Sequence, residues 1–580
     1  MPAVSSSFIF GSVTPGSVLS ANGRKVEVEP NGAFMAQIPF EEGDFTIRLE
    51  AANAKGKKLL ERKVSVARSK TLISSAGLTI VPGTISPSRE LSLLPGDRIY
   101  VSFRGTPRRK ASFRIGQGCG QMMAEQAAAA ERDERLDAFG QGEPATMVLP
   151  GWYVGSCLVP QEIELKSERI YCCLIDSLGN EAVDSTMPLI SGWPQNLQTV
   201  GRTVDTVTIL KTGPDLGYEI FLPPGISLLL TGKDKEHYRV RLDEAKEAWV
   251  KQSSVAMMPS GTVLSPANAA LAKVERKMRQ SVVNITLSRP APFRIEQSGD
   301  ARKLRVWLYH TRADLDWLRY QPNDPLIAHI GWSQPTTETA AIDIELSEPL
   351  WGYSPEYRGN VLSLAIRQRP RINSRRPFQN LRIAVDAGHS PDNGAVGPLR
   401  TLEKDVNWQT AQRLGRKLES LGAKVYYPRE GNEEVGIYQR PRKAAAWKAD
   451  LLVSIHHNAS PDGANPLKNS GFSTYFYHPH SRELARAVHR RFQKTLKLPD
   501  HGFFHGNLVL CREPAMPSFL VEPAFIIVPK QEALIRSAAF QEKVAAAIVD
   551  GMKSFLLSEH AEDLPEEAEP DSVAGEQVEQ

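Results

Sequence analysis

The sequence predicts a multidomain protein in which N-terminal all-β domains precede a C-terminal α/β domain with a largely parallel sheet. Three observations carry this expectation. The chain has 580 residues, too long for one hydrophobic core at ~150 residues per domain. Up to about residue 371, apolar and polar residues alternate with the period of two that marks half-buried strands, punctuated by turn residues. From Asn380 the texture changes to short apolar runs separated by segments of helical period, as in sheets covered on both faces.

Over 6–67, Val26 and Val28 alternate with Lys25, Glu27 and Glu29, and Phe45, Ile47 and Leu49 with Thr46, Arg48 and Glu50. Asn22-Gly23 and Asn31-Gly32 supply hairpin turns. The stretch resembles a small immunoglobulin-like β domain. Residues 75–198 read as a β-rich domain with a turn at Pro95-Gly96-Asp97 and a helical, Ala- and Glu-rich insert over Gln121 to Asp137. Over 202–256, short strands (Val207 to Leu210, Ser227 to Thr231, Tyr238 to Leu242, Ala248 to Lys251) resemble an SH3-like barrel. An Ala- and Pro-containing linker, Met257 to Gln280, is expected next. Residues 281–371 then alternate at Val306 and Leu308, at Ile342, Ile344 and Leu346, and at Leu362, Leu364 and Ile366. They resemble the β-sandwich in front of some envelope amidases, with Trp351 and Tyr353 read as sandwich core or edge. The basic run Arg367 to Arg376 reads as a linker.

Within 380–557, Leu381 to Ala387 is an apolar strand. A helix over Glu403 to Leu421 presents Val406, Ala411, Leu414 and Leu418 on one side and stops at Gly422. Strands follow at Val425 to Tyr427, Leu451 to Ile455, Thr474 to Tyr477 and Phe519 to Val521, with helices at Tyr438 to Lys448 and Ser481 to Leu496.

Composition excludes other classes. A hydrophobic share of 41% and a charged share of 23% are ordinary for a globular chain, not for a disordered, collagen-like or polytopic membrane protein. No apolar run of ~20 residues exists, so no membrane span is expected. The formal net charge is +4, yet 559–580 carries nine acidic residues and no Lys or Arg. That segment reads as an acidic disordered tail, and the remaining body is the more basic part. No nucleic-acid partner is expected. The five cysteines include no CxxC pair; four lie between Cys119 and Cys173, where a disulfide and buried free thiols are both open readings. Met1 to Phe10 has no basic segment followed by an apolar one, so it is no secretory signal.

Three apolar strands of the last domain end in groups able to bind metal or move protons: Asp386-Ala387-Gly388-His389, Ser454-Ile455-His456-His457-Asn458 and Leu520-Val521-Glu522. Glu403 opens the first long helix. Ligands of open α/β sheets bind outside the carboxyl ends of the strands, so the four can share one site. Two imidazoles and a carboxylate are a common catalytic zinc set, and a second carboxylate can then shuttle the proton. Singly, each residue is better read as a solvated side chain or a helix-dipole partner; four at matching positions rarely coincide.

Val385 to His389, Gly394-Ala395-Val396-Gly397, Glu403 to Asn407, Ala449-Asp450 with Ser454-Ile455-His456, Asn507 to Leu510 and Leu520 to Glu522 resemble, in order, the motifs of zinc-dependent N-acetylmuramoyl-L-alanine amidases of family 3. Ser390-Pro391 and Val528 depart from the pattern. The resemblance implies Zn2+ on His389, Glu403 and His456, with Glu522 as general base and acid and His457 outside the ligand set. It implies cleavage of the amide between N-acetylmuramic acid and the L-alanine of peptidoglycan, in cell-wall remodelling or cell separation. Two alternatives stay open: a cell-wall binding protein with an impaired site, and a zinc amidase of another peptide. Expected partners are peptidoglycan and, through the N-terminal β domains, envelope or divisome proteins. The expected location is the periplasm or cell envelope, with export inferred from the substrate. Some related amidases carry a cleft-plugging helix after the second-His strand. Here that segment, Ala459 to Ser470, contains Pro461, Gly463 and Pro466, so an open cleft is expected.

Overall fold

The computed structural model describes residues 6–558 except 41–42, 67–76, 117–118, 130–147, 162–164, 187–189, 195–196, 322, 461–464 and 468–469. The acidic segment 559–580 lies outside the described residues. The first two-thirds of the chain is β-rich and the last third carries the long helices. Among the described residues no helix is long and apolar enough to cross a membrane.

The first region pairs Ser6–Ser12 with Ala33–Pro39 and joins four further strands between Val18 and Val66 in a second sheet. The next is a six-stranded sheet running from Arg98–Arg104 to Glu181–Ser185. Here the helical reading of Gln121 to Asp137 is corrected. Cys119–Ala129 is a strand, paired with Lys110–Ile115 and Val148–Leu158, and the remainder lies outside the described residues. Alanine is the strongest helix former, but intrinsic propensity is a small energy per residue, and pairing with two flanking strands outweighs it. Cys157 is disulfide-bonded; Cys172, Cys173 and Cys511 are free.

The third β region, Thr199 to Met257, forms a sheet that also takes in Leu91–Leu93 and Ile190–Gly192 from the preceding region, so the two share hydrogen bonds. The stretch read as a linker, Met257 to Gln280, contains the strand Ala267–Lys277, paired with Gln280–Leu287. Its period of two runs through Ala267 and Ala269, shifts by one residue at a bulge between Ala269 and Leu271, and resumes at Ala272 and Val274, all four buried, and small alanines give a weak hydropathy signal. Two sheets then pack face to face over Val283, Ile285, Val306, Ile342, Ile344 and Leu364.

Elements of the C-terminal domain are numbered from its start: β1 (Arg382–Ala387), α1 (Glu403–Ser420), β2 (Lys424–Tyr426), α2 (Gln439–Ala446), β3 (Leu451–Ile455), β4 (Phe472–Phe476), α3 (Pro479–Thr495), β5 (Asp500–His505), β6 (Ser518–Glu522), α4 (Pro529–Ile535) and α5 (Ala538–Leu557). The sheet order is β2-β1-β3-β6-β4-β5. Every pairing is parallel except β4 with β6. Helix α1 buries Val406, Ala411, Leu414 and Leu418, of which the valine and the two leucines are anchors of about 1.5–3 kcal/mol each when fully covered. It ends at Gly422, whose φ of +90° suits glycine.

This domain is docked on the β regions. Trp351 donates from Nε1 to the Asp450 carbonyl at 3.0 Å and stacks on Phe555. Arg367 reaches the Ala449 carbonyl at 2.6 Å and Asp450 Oδ1 at 2.7 Å, so the start of the expected basic linker is a fastening.

Candidate metal centre

Strand register decides which side chains meet. Ala387 of β1 pairs with Ile455 of β3, and Ile455 with Val521 of β6. One or two residues further, His389, His456 and Glu522 emerge along one edge. Glu403 arrives from the first position of α1, across from them.

The ligand atoms of His389, Glu403 and His456 lie within 4.8 Å of one another. His389 Nε2 is 3.0 Å from Glu403 Oε2, and His456 Nδ1 is 3.2 Å from Glu403 Oε1. A tetrahedral ion with bonds of ~2.0–2.1 Å holds its ligand atoms ~3.3 Å apart, so the two imidazole–carboxylate spacings and the donor chemistry fit zinc. Glu403 is 3% exposed. Burial alone would raise its carboxyl, but hydrogen bonds and charge from His389 and His456 outweigh it and hold the group far below the usual carboxylate range.

Backbone and side chains lock the donors. Ala395 N–H donates to Glu403 Oε2 at 2.8 Å, and His457 N–H to Oε1 at 3.0 Å. Asn407, one turn along α1, donates to Oε1 at 3.3 Å and accepts from His457 Nδ1 at 2.8 Å. His457 is buried, which pushes its imidazole down to about 4, and it stands outside the three-residue cluster. Asp392 holds His389 Nδ1 at 2.5 Å. Such partners orient a ligating imidazole and fix its tautomer. Two glycines leave the room: a Cβ on Gly388 would lie 2.3 Å from the His456 ring, and one on Gly394 2.5 Å from Glu403 Oε2.

Glu522 Oε2 accepts from Ser473 Oγ and Tyr475 OH, both at 2.9 Å. Burial pushes its carboxyl up, against the opposing influence of His456 and these two hydroxyls. The Oε1 atom takes neither bond.

Two arginines that sequence reasoning passed over brace the loop bearing His389. Arg429 donates to the carbonyls of Ala387 at 2.8 Å, Gly388 at 3.0 Å and Lys404 at 2.9 Å. Arg440 donates to Val435 at 3.0 Å and Ala387 at 2.9 Å, and also to the His389 and Ser390 carbonyls. Both are buried, yet neither stands in a pattern that separates it from a surface arginine. Glu532, fully buried, accepts from Leu399 N–H at 3.0 Å and so fixes the loop before Glu403. Asn507, one of the motif residues, instead faces Arg512 and the Tyr218 carbonyl. Between β3 and β4 the described residues form a turn at Pro466-Leu467 and no helix.

The sequence profile of N-acetylmuramoyl-L-alanine amidases (Amidase_3) matches residues 383–554. The chain is similar to the N-acetylmuramoyl-L-alanine amidase LytC of Bacillus subtilis (strain 168), 32% identical over 30% of this chain and 35% of that protein. It is 32% identical to the uncharacterized protein YqiI of Bacillus subtilis (strain 168) over 34% of this chain and 94% of that protein. It is also 32% identical to the probable cell wall amidase LytH of Staphylococcus aureus, over 31% of this chain and 60% of that protein. The chain thus spans about a third of LytC and under two-thirds of LytH.

Proposed function

The chain belongs to the N-acetylmuramoyl-L-alanine amidase family, and from that premise we propose that it hydrolyses the amide between N-acetylmuramic acid and L-alanine in peptidoglycan. The observation that carries this reading is the convergence of His389, Glu403 and His456 beside Glu522 at one edge of the sheet. His389 Nε2, His456 Nδ1 and Glu403 are the groups that would hold zinc. Zinc, when bound, polarises the scissile carbonyl and lowers the pKa of water towards ~7. Ser473 and Tyr475 tether Oε2 of Glu522, which leaves Oε1 to take the proton of the attacking water and deliver it to the departing L-alanine nitrogen. Arg429 and Arg440 keep the His389 loop from relaxing, and Asp392 holds the imidazole with Nε2 inward.

The N-terminal modules, read as immunoglobulin-like, SH3-like and sandwich domains, deliver this centre to its polymer in the periplasm or cell envelope, and envelope or divisome proteins are their partners. The test is release of new L-alanine amino termini from purified peptidoglycan by the full chain. A strong zinc chelator should abolish it, added zinc should restore it, and His456→Ala should lack both metal and activity. Full zinc occupancy in His456→Ala would sink the ligand set. Zinc loading without any turnover would leave a wall-binding protein, and turnover confined to other peptides would move the substrate.

A further inference from the structure

The C-terminal domain and the third β region flank an open cavity of about 760 Å³. Asp205, Lys211, Tyr218 and Lys251 line it from the β region, and Tyr438 and Arg442 from the segment that opens α2. Lys211 pairs with Trp249 across the ladder; Lys251, two residues beyond Trp249, therefore projects from the same face as Lys211.

Three cations thus stand around one space against a single lining carboxylate, Asp205. Lys211, Lys251 and Arg442 make no ion pair or side-chain hydrogen bond among the described residues. The acid that Arg442 does feel, Glu513, has its carboxyl pushed up to about 7 by burial, so it offers less than a full counter-charge near neutral pH. Unpaired cations of this kind are usually spread over a surface; here they share a concavity whose size falls in the range of small-ligand sites, which favour domain boundaries.

The walls are fixed in advance. Tyr218 OH and Tyr438 OH share a hydrogen bond at 3.0 Å. Asn507 Nδ2 donates to the Tyr218 carbonyl at 3.1 Å, and Arg512 donates to the Glu219 carbonyl at 3.3 Å while its guanidinium lies over Phe221. A cleft held open in this way loses little ordering entropy when a ligand enters. Its α2 wall also touches the metal loop, because Arg440, between Gln439 and Arg442, donates to the His389 and Ser390 carbonyls.

We propose that this cavity binds a peptide bearing free carboxylates, the stem peptide of peptidoglycan, at a site separate from the metal centre. The identity of the peptide rests on the amidase reading above; the cation excess and the cavity do not. Two grips on one polymer would raise the effective concentration of the scissile amide at the metal centre without adding contacts there.

The test uses the full chain and the free stem tetrapeptide, which lacks the scissile amide, with its carboxylates intact or amidated. Binding is expected to be equal in the wild type and in His456→Ala, and to weaken as salt rises. Charge reversal at both lysines (Lys211→Glu with Lys251→Glu) should weaken it by about tenfold or more, since attraction becomes repulsion, and so should amidation of the peptide. Should the glutamate pair fail to fold, as judged by its urea midpoint, the Lys211→Met with Lys251→Met pair is read in its place. Affinity unchanged by loss of both lysine charges overturns the proposal. So does binding that disappears in His456→Ala, because the peptide would then sit at the metal centre. Failure of the amidase reading gives a different pattern: tetrapeptide binding persists while the wild type releases no L-alanine termini from peptidoglycan.

Discussion

Gly388 separates what holds the fold from what would hold the proposed metal. Its N–H donates to the Ile455 carbonyl at 2.9 Å, and its own carbonyl receives Arg429 and Asn407. Its φ lies outside the left-handed region, so alanine can follow the same backbone and keep all of these bonds. The methyl group, however, would lie 2.3 Å from Cε1, 2.4 Å from Nε2 and 2.5 Å from Nδ1 of His456. Ordinary contact begins near 3.4 Å, so the imidazole must retreat by about 1 Å, which carries Nδ1 away from Glu403 and out of the donor set. Gly388→Ala should gain about 0.4–1 kcal/mol by restricting the unfolded chain and lose about 1–3 kcal/mol to crowding. The net change is small beside the 5–15 kcal/mol that typically holds a domain together. Zinc affinity should fall by at least about 100-fold, since disturbing only the partners of a ligand already costs 10–100-fold. Competition with a chromogenic chelator reads the affinity, and urea unfolding of the zinc-free protein reads the stability. Wild-type zinc affinity in Gly388→Ala would refute the reasoning, for the ring could not then be both where it is and a ligand.

Three further outcomes follow from the same geometry. Glu522→Gln should retain zinc, because the side chain is no member of the donor cluster, yet lower turnover by about two to four orders of magnitude; near-normal turnover would show that another group carries the proton. Arg440→Met removes the donor to four carbonyls and the cation 3.5 Å from the fully buried Asp386, and should destabilise the C-terminal domain by about 3–5 kcal/mol in urea, whereas a loss below about 1 kcal/mol would mean that water replaces the guanidinium. His480, the second residue of α3, is buried against Gln297 of the sandwich, with its imidazole pushed down to about 4 by burial. Below its unfolded pKa of ~6.5 the unfolded chain binds the extra proton, so stability contributed by the neutral ring is present at pH 7.5 and declines as pH falls, by about 2 kcal/mol at pH 5. A His480→Gln protein should show a correspondingly flatter profile, and an unchanged one would assign the acid sensitivity elsewhere.

Three of the four candidate residues of the centre are legible because His389, His456 and Glu522 follow apolar runs, where strand register brings ends together, and Glu403 because it opens the first long helix. The strand Asp500–His505 was not, since its aromatic residues are interrupted by Gly502 and its exposure is intermediate. Arg429 and Arg440 were hidden for another reason: they donate to backbone carbonyls, which every residue has, so no partner type in the sequence gives them away. The strands at Cys119–Ala129 and Ala267–Lys277 were misread because alanine fits a helix, a linker or the inside of a sheet equally well by hydropathy. Pairing partners decided the matter, and those are set by tertiary structure. Asn507, quoted as part of a catalytic pattern, has its amide turned towards the third β region, a use that spacing alone does not distinguish from one at the metal.

The seam at Trp351, Arg367 and Phe555 bears on how such a chain can be inherited. A recombination event that carried the last third of the gene into a new neighbour would strip the indole from Phe555 and the guanidinium from Asp450 in one step. The transplanted piece would present a raw aromatic face and a carboxylate without its cation. Asp450 keeps the Arg382 N–H at 2.9 Å within the domain, so lineages in which this catalytic unit has a different front should differ first at the position equivalent to Phe555, well away from the metal-type residues, and grafting experiments between relatives should be rescued by substitutions there sooner than by any change in the cleft.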